Sequence, residues 1–345
     1  MGDRDEPKPA TSLAGLSEPS TVAATGARPD DPPAPFAGDA DARYREVSVV
    51  GAGGLGTVLR AHDARLDREV ALKRIGPGAD PRHAALRFAR EARITARLDH
   101  AGIVPIHDAG VTADGRLFYT MRLVRGRSLA ELAAEARDLD ARLALVPSIT
   151  AACHAVAHAH RRRIVHRDLK PANVMVGELG ETQVVDWGLA EELAVLAELR
   201  DGEVAGTPAY LSPEVARGEP ASIAGDVWAL GATLYEVLAG RRRIAGDRDE
   251  VLATLRRDPP PAVWPDEVPV ELRAIGDRAM ATRAGDRYVD AEAMARDLEA
   301  FRDGRRVAAH RYSTRALAWR AAVALRWPLA IGGALVVATI ASLAL

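Results

Sequence analysis

The chain has 345 residues, 48% of them hydrophobic and 27% charged, the balance of a globular protein with room for one large domain or two ordinary ones. Its net charge of −2 supplies no basic field and argues against nucleic acid as a partner. The single cysteine, Cys153, excludes a disulfide framework within the chain and fits a reducing compartment.

Residues 1–40 are rich in Pro, Ala, Gly, Asp and Ser/Thr and carry few large apolar groups. They cannot bury enough surface to offset ordering entropy, so they read as a disordered arm. The charged start Met1-Gly2-Asp3-Arg4-Asp5 leads into no apolar run, which gives no reason to expect a signal peptide. The dense region begins near residue 41. Residues 47–50 and 57–60 read as strands on either side of a glycine-rich turn, and 68–73 as a third strand.

Gly51, Gly53 and Gly56 in that turn let backbone N–H groups approach phosphates closely. Taken alone, the turn also fits a dinucleotide-binding fingerprint, with Glu69 near the place of a ribose-binding acid. The β-like residues Thr57-Val58-Leu59 stand where that fingerprint needs a helix start. Lys73 closes the alternating strand Val70-Ala71-Leu72-Lys73. Residues 81–100 read as a helix that places Ala84, Phe88, Glu91, Thr95 and Leu98 on one face. An acid on such an apolar face needs a cation, and Lys73 is the natural one.

From residue 129 the pattern turns mainly helical, with Cys153 read as core packing in the Ala-rich run 149–160. Next comes His166-Arg167-Asp168-Leu169-Lys170-Pro171-Ala172-Asn173, and then Asp186-Trp187-Gly188. Residues 173–176 and 183–186 read as a hairpin joined through Gly177 and Gly180. The residue types suit phosphoryl transfer from a metal-bound nucleotide to a hydroxyl. Asp168 is the candidate base, and Lys170 neutralises charge on the moving group. Asn173 and Asp186 supply hard oxygen ligands for Mg²⁺. His166 reads as backbone support.

The tail differs again. Residues 327–345 contain no charge, and about nineteen helical residues just cover a hydrocarbon core of about 30 Å. Arg302, Arg305, Arg306, Arg311, Arg315, Arg320 and Arg326 precede it. The expectation is one membrane-spanning helix at the cytoplasmic membrane, with the preceding region cytoplasmic and no domain beyond the span.

The motif set resembles the eukaryotic-type protein kinases of the bacterial Ser/Thr class. It comprises the run from Gly51 to Val58, Val70 to Lys73, Glu91, the run from His166 to Asn173, Asp186 to Gly188, Ser212-Pro213-Glu214, Asp226 and Arg287, in the family's order. The resemblance implies an α+β, two-lobed kinase-like fold over 41–306, with a small β-rich lobe at 41–124 and a helical lobe at 125–306. A basic juxtamembrane segment, 307–326, and the span at 327–345 follow. ATP would lie between the lobes with Mg²⁺. By resemblance, Val58 and Ala71 line the adenine pocket, Met121 is the gatekeeper, and the backbones of Arg122 and Val124 pair with adenine. Glu214 would anchor to Arg287. Proteins with Ser/Thr acceptors are the implied substrates, the arm's own hydroxyls included, and a second copy of the chain is a partner left open.

Two departures stand out. Trp187 replaces the family's usual Phe, and Arg122 a residue that is often acidic. Between Asp186 and Gly206 there is also no Ser, Thr or Tyr, but Glu191, Glu192, Glu198, Asp201 and Glu203 are present. Either one of these carboxylates supplies a permanent counter-charge to Arg167, or all of them are simply solvated.

Overall fold

In the computed structural model, which describes residues 43–53, 56–76, 81–198 and 205–314, alternation and glycine placement shape the first lobe. β1 (Tyr44–Gly53) and β2 (Gly56–Asp63) pair antiparallel across the glycine turn, with Gly51 opposite Val58 and Gly53 opposite Gly56. Gly56 has φ +152°, and a Cβ there would collide with the Arg74 carbonyl, so only glycine lets β3 lie this close. β3 (Arg68–Ile75), β4 (Ile106–Val111) and β5 (Leu117–Arg122) complete a sheet of order β1-β2-β3-β5-β4. Tyr44, Leu59, Ala61, Val70, Leu72 and Phe118 form its core.

The helix Pro81–Ala96 lies against this sheet, with the Phe88 and Tyr119 rings 5.1 Å apart. Ala84, Phe88, Glu91, Thr95 and Leu98 are all buried, as the helical spacing predicts. The helix is shorter than expected: it stops at Ala96, and Leu98 is buried from the turn that follows.

The second lobe is helical. β6 (Gly126–Ser128) leads into the helix Leu129–Glu135, whose start is fixed by a capping box between Ser128 and Glu131. The helices Val146–Arg161 and Ile223–Ala239 are rich in small and apolar residues and are buried over most of their length. They share one large core, Trp228 and Leu234 of the second helix included, with Leu272, Met294 and Leu298. Each fully buried Leu of this kind contributes about 1.5–3 kcal/mol. Cys153 is part of that core, and burial pushes its thiol up to about 12.

Short strands carry the functional loops. β7 (Ile164–Val165) precedes the His166–Asn173 stretch, and β8 (Val174–Gly177) pairs with β9 (Thr182–Val184) and with β6. The expected hairpin is therefore present but narrower. Asn173 sits in a 3₁₀ turn before it, and Asp186 lies two residues past its second strand. β10 (Glu191–Glu192) pairs antiparallel with β7. The four-residue helix Pro213–Ala216 and the helices Val270–Ala279 and Ala291–Arg302 finish the lobe. Among the described residues no helix is long and apolar enough to cross a membrane. The arm at 1–40 and the uncharged stretch 327–345 lie outside the described residues.

Candidate active site

A cleft of about 730 Å³ opens between the five-stranded sheet and the helical lobe. Its roof is β1, β2 and β3, where Gly51, Gly56, Val58 and Ala71 face inward. Strand alternation then turns Lys73 into the cleft. Its Nζ donates to Glu91 Oε1 at 2.5 Å and to Asp186 Oδ1 at 3.2 Å. Burial penalises the ammonium, but the carboxylates of Glu91 and Asp186 outweigh that penalty and hold it above its ordinary value. The same cation acts on Asp186: burial would raise its carboxyl, yet Lys73 keeps it below the usual range. Both groups therefore carry full charge near neutrality.

The loop His166–Asn173 hangs from Asp226. This carboxylate is 3% exposed. It accepts the His166 N–H at 2.8 Å and the Arg167 N–H at 3.0 Å, and pairs with His160 Nε2 at 2.9 Å. These bonds hold Arg167 at φ +71°, a left-handed backbone that costs a non-glycine residue about 1–3 kcal/mol. The His166 ring meets the Val185 carbonyl at 3.3 Å and accepts the Asp168 N–H at 3.3 Å, so it supports backbone on both sides. It also packs on Trp187, with centroids 4.5 Å apart.

Asp168 is the most heavily bonded group in the cleft. Its Oδ1 accepts the Thr207 N–H at 2.9 Å and the Thr207 hydroxyl at 2.7 Å. Its Oδ2 accepts Lys170 Nζ at 2.7 Å and Asn173 Nδ2 at 3.3 Å. Lys170 also donates to Thr207 Oγ1 at 2.8 Å, closing a triangle. Gly206, at φ +113°, lets Thr207 come this near; a Cβ there would meet the Arg167 carbonyl. Asn173 Nδ2 gives a shorter bond, 2.8 Å, to the Asp168 carbonyl. The amide nitrogen is thus committed to the loop, and Oδ1 is the end that can face a ligand.

Asp186 has φ +60° and a side chain half exposed to the cleft. Trp187 after it is buried and donates its indole N–H to the Val184 carbonyl at 3.3 Å. A phenylalanine could not make that bond. Further along, Arg287 clasps Glu214 with two parallel bonds of 2.7 and 2.8 Å.

Most of the residues singled out from sequence line this one cleft: Gly51, Gly56, Val58, Ala71, Lys73, Met121, Arg122, Val124, Asp168, Lys170 and Asp186. Glu91 stands behind Lys73, and Asn173 behind Asp168. Gly53 ends β1 in the turn above. The Arg122 N–H is already given to the Pro105 carbonyl at 3.3 Å, which leaves its carbonyl for a ligand. Glu69 faces Arg125 on the surface, and β2 follows the glycines, so the dinucleotide reading lacks both its helix and its ribose acid. Sequence reasoning gave no role to Tyr119 or the apolar floor of Val104, Met175 and Val185, and did not tie Thr207 to Asp168. Nothing distinguishes such residues from ordinary core and turn positions in a single sequence.

Among known proteins, the protein kinase domain family matches residues 44–264. The chain is 37% identical over 269 residues to the serine/threonine-protein kinase PknL of Mycobacterium tuberculosis, covering 75% of this chain and 66% of that protein. It is 36% identical over 266 residues to PknA of the same species, with 74% and 61% covered. With PknD of Protochlamydia amoebophila the figures are 33% over 296 residues, 76% of this chain and 30% of the relative. The chain thus spans between 30% and 66% of the length of these relatives.

Proposed function

We propose that this chain, which belongs to the protein kinase domain family, is an active serine/threonine kinase that moves the γ-phosphoryl group of MgATP to protein hydroxyls. The observation that carries the reading is the convergence of Lys73, Asp168, Lys170 and Asp186 on one cleft beneath a glycine turn.

The donor set fits the metal–nucleotide. Asp186 offers a charged, half-exposed carboxylate, and Asn173 the free oxygen of an amide anchored by its nitrogen. Among the described residues no cluster of three or more His, Cys, Asp or Glu could cage a metal alone. Two hard oxygen ligands with room for phosphate oxygens suit Mg²⁺, which would supply charge neutralisation at the phosphates.

The chain's own groups do the rest. Lys73, kept protonated by Glu91, binds phosphate oxygens. Val58, Ala71 and Met121 enclose the adenine, while the Arg122 carbonyl and the Val124 N–H read its edge. Asp168 orients the acceptor hydroxyl and takes its proton. The long Asn173 bond is the weakest of the four on that carboxylate, so exchanging it for the substrate hydroxyl costs least. Lys170 neutralises charge on the transferred group. The Lys170–Thr207 contact, beside the loop that would hold the acceptor peptide, favours serine and threonine.

Phosphate incorporation from MgATP by the wild type, absent in Asp168→Ala and in Asp186→Asn, is the expected result. Equal incorporation by wild type and Asp168→Ala would remove Asp168 from its role. Thermal stabilisation by MgATP without incorporation would leave a nucleotide-binding protein.

The uncharged stretch 327–345 with its preceding arginines supports a membrane tether that keeps the kinase region cytoplasmic. Recovery of the full chain in the membrane fraction, lost when 327–345 is deleted, is the expected outcome. Thr11, Ser12, Ser17, Ser20, Thr21 and Thr25 are the proposed autophosphorylation sites, and phosphopeptide mapping tests them.

A further inference from the structure

Glu191 is buried at 6% exposure, the one buried acid among the described residues between Asp186 and Gly206. A carboxylate so placed must be paired. Its Oε2 lies 2.8 Å from Arg90 Nη1 and 3.9 Å from Arg167 Nη1. The two guanidinium groups belong to different working parts. Arg90 is next to Glu91 on the helix Pro81–Ala96, and Arg167 is next to Asp168 on the catalytic loop. The β10–β7 register fixes the carboxylate between them: Glu191 stands opposite Val165, two residues before Arg167. Glu192 reaches Arg97, two turns along from Arg90 on the same side of the chain leaving the helix, at 2.5 Å. That second pair is exposed and adds little by itself.

Moving the helix away would separate Lys73 from Glu91 and leave the buried Glu191 carboxylate with only its longer, 3.9 Å contact to Arg167. The helix and the loop are therefore coupled through one side chain. No hydroxyl occurs between residues 187 and 205, so nothing in that stretch can be phosphorylated on Ser, Thr or Tyr to do the same job. We propose that Glu191 is a positioning residue, a permanent carboxylate strap joining the Glu91-bearing helix to the catalytic loop, so that the site assembles without a phosphate in this stretch. The consequence for turnover rests on the kinase reading above; the consequence for the helix does not.

The test uses full-length protein stripped of phosphate by a phosphatase and checked by intact mass. Initial rates with MgATP and dephosphorylated casein are read beside hydrogen exchange of residues 81–96. Glu191→Gln should quicken exchange in 81–96 and lower kcat about tenfold, with the ATP KM changed less than about threefold. Glu191→Asp should recover part of both. Arg90→Met should reproduce the exchange effect from the other side, and adding Glu191→Gln to it should change little more. Unchanged exchange in 81–96 for both Glu191→Gln and Arg90→Met would overturn the strap. So would a dephosphorylated wild type that turns over only after phosphate is restored. A wild type that transfers no phosphate under any condition counts against the kinase reading, while the exchange comparison still decides the strap.

Discussion

The Tyr119 hydroxyl donates to Glu91 Oε1 at 2.6 Å, the same oxygen that Lys73 uses at 2.5 Å. One buried carboxylate oxygen thus takes a phenol and an ammonium together, while Glu91 Oε2 has no hydrogen-bond partner. Tyr119 is a second restraint on the Lys73–Glu91 pair, acting from β5. Tyr119→Phe removes a bond to a charged group, which costs about 1.5–3 kcal/mol. The expected outcome is a lower denaturation midpoint with a modest loss of turnover. Lys73→Met, which removes the cation proposed to bind phosphate, should cost about 10²-fold or more in kcat. Urea unfolding and steady-state kinetics on the two variants separate these effects.

Thr207 holds Asp168 by two bonds, one from its backbone and one from its hydroxyl. Thr207→Val keeps the shape and the backbone bond to Asp168 Oδ1 but removes the hydroxyl that links Asp168 and Lys170 in the triangle. Turnover should fall about tenfold to a hundredfold, in the range of a lost positioning contact. Stability should change by less than about 1 kcal/mol, because the site is open to water that can replace the bond. Thr207→Ser should restore most of the rate. A Thr207→Val protein with wild-type kcat would show that the hydroxyl has no part in setting Asp168.

These two residues mark where single-sequence reading runs out. Glu91 was legible because a charge on an otherwise apolar helical face demands a partner, and Lys73 ended the strand that could supply one. Asp168, Asn173 and Asp186 were legible from residue type and spacing. Tyr119 was not, since an aromatic residue in a strand reads as core, and its hydroxyl partner lies twenty-eight positions away. The Thr207–Asp168 bonds were not legible either, since they join residues thirty-nine positions apart. β4 and β5 escaped because Ile106–Val111 shows no clean alternation; its burial is mixed along its length. β7 and β10 are two residues each, too short for any periodicity, and become strands only by pairing with each other. For that reason Glu191 could not be told from its four acidic neighbours until β10 fixed it beside Arg167.

Arg287 is fully buried and answers Glu214 with a two-pronged grip, while its guanidinium also lies 5.0 Å from the centre of the Trp228 ring. Removing the acid leaves that charge with only the carbonyls of Ala281, Ala224 and Thr282. Glu214→Ala is expected to cost about 3–5 kcal/mol, as for a broken buried pair. The pH dependence follows the same contact. Burial opposes the Glu214 carboxylate, but Arg287 holds its pKa below the ordinary 4.5. An acid with a depressed folded pKa stabilises fully above its unfolded pKa and loses that contribution as pH falls toward the folded value. Wild type should therefore weaken below about pH 4.5, and Glu214→Gln, already weaker at pH 7, should show a shallower acid decline. Denaturation midpoints at pH 7 and pH 4 for both proteins check this.

Histidines set a second, milder slope nearer neutrality. The His100 and His158 rings lie 5.0 Å apart where the turn after the helix Pro81–Ala96 meets the helix Val146–Arg161. Burial lowers both below the ordinary 6.5, and nearby cations lower them further: His154, Arg161 and Arg162 at His100, and Arg162 first at His158. His100 Nδ1 accepts the Gly102 N–H at 3.0 Å, a bond that needs that nitrogen unprotonated. Above pH 6.5 both folded and unfolded chains hold these rings neutral. Below it the unfolded chain takes up protons that the folded one refuses, so stability falls with pH until the folded pKa values are reached. A decline of about 2–4 °C in melting temperature is expected between pH 7 and 5.5, separate from the carboxylate loss further down. The double variant His100→Asn with His158→Gln should flatten that window and leave the acid limb in place. An unaltered slope in the double variant would assign the effect to other groups.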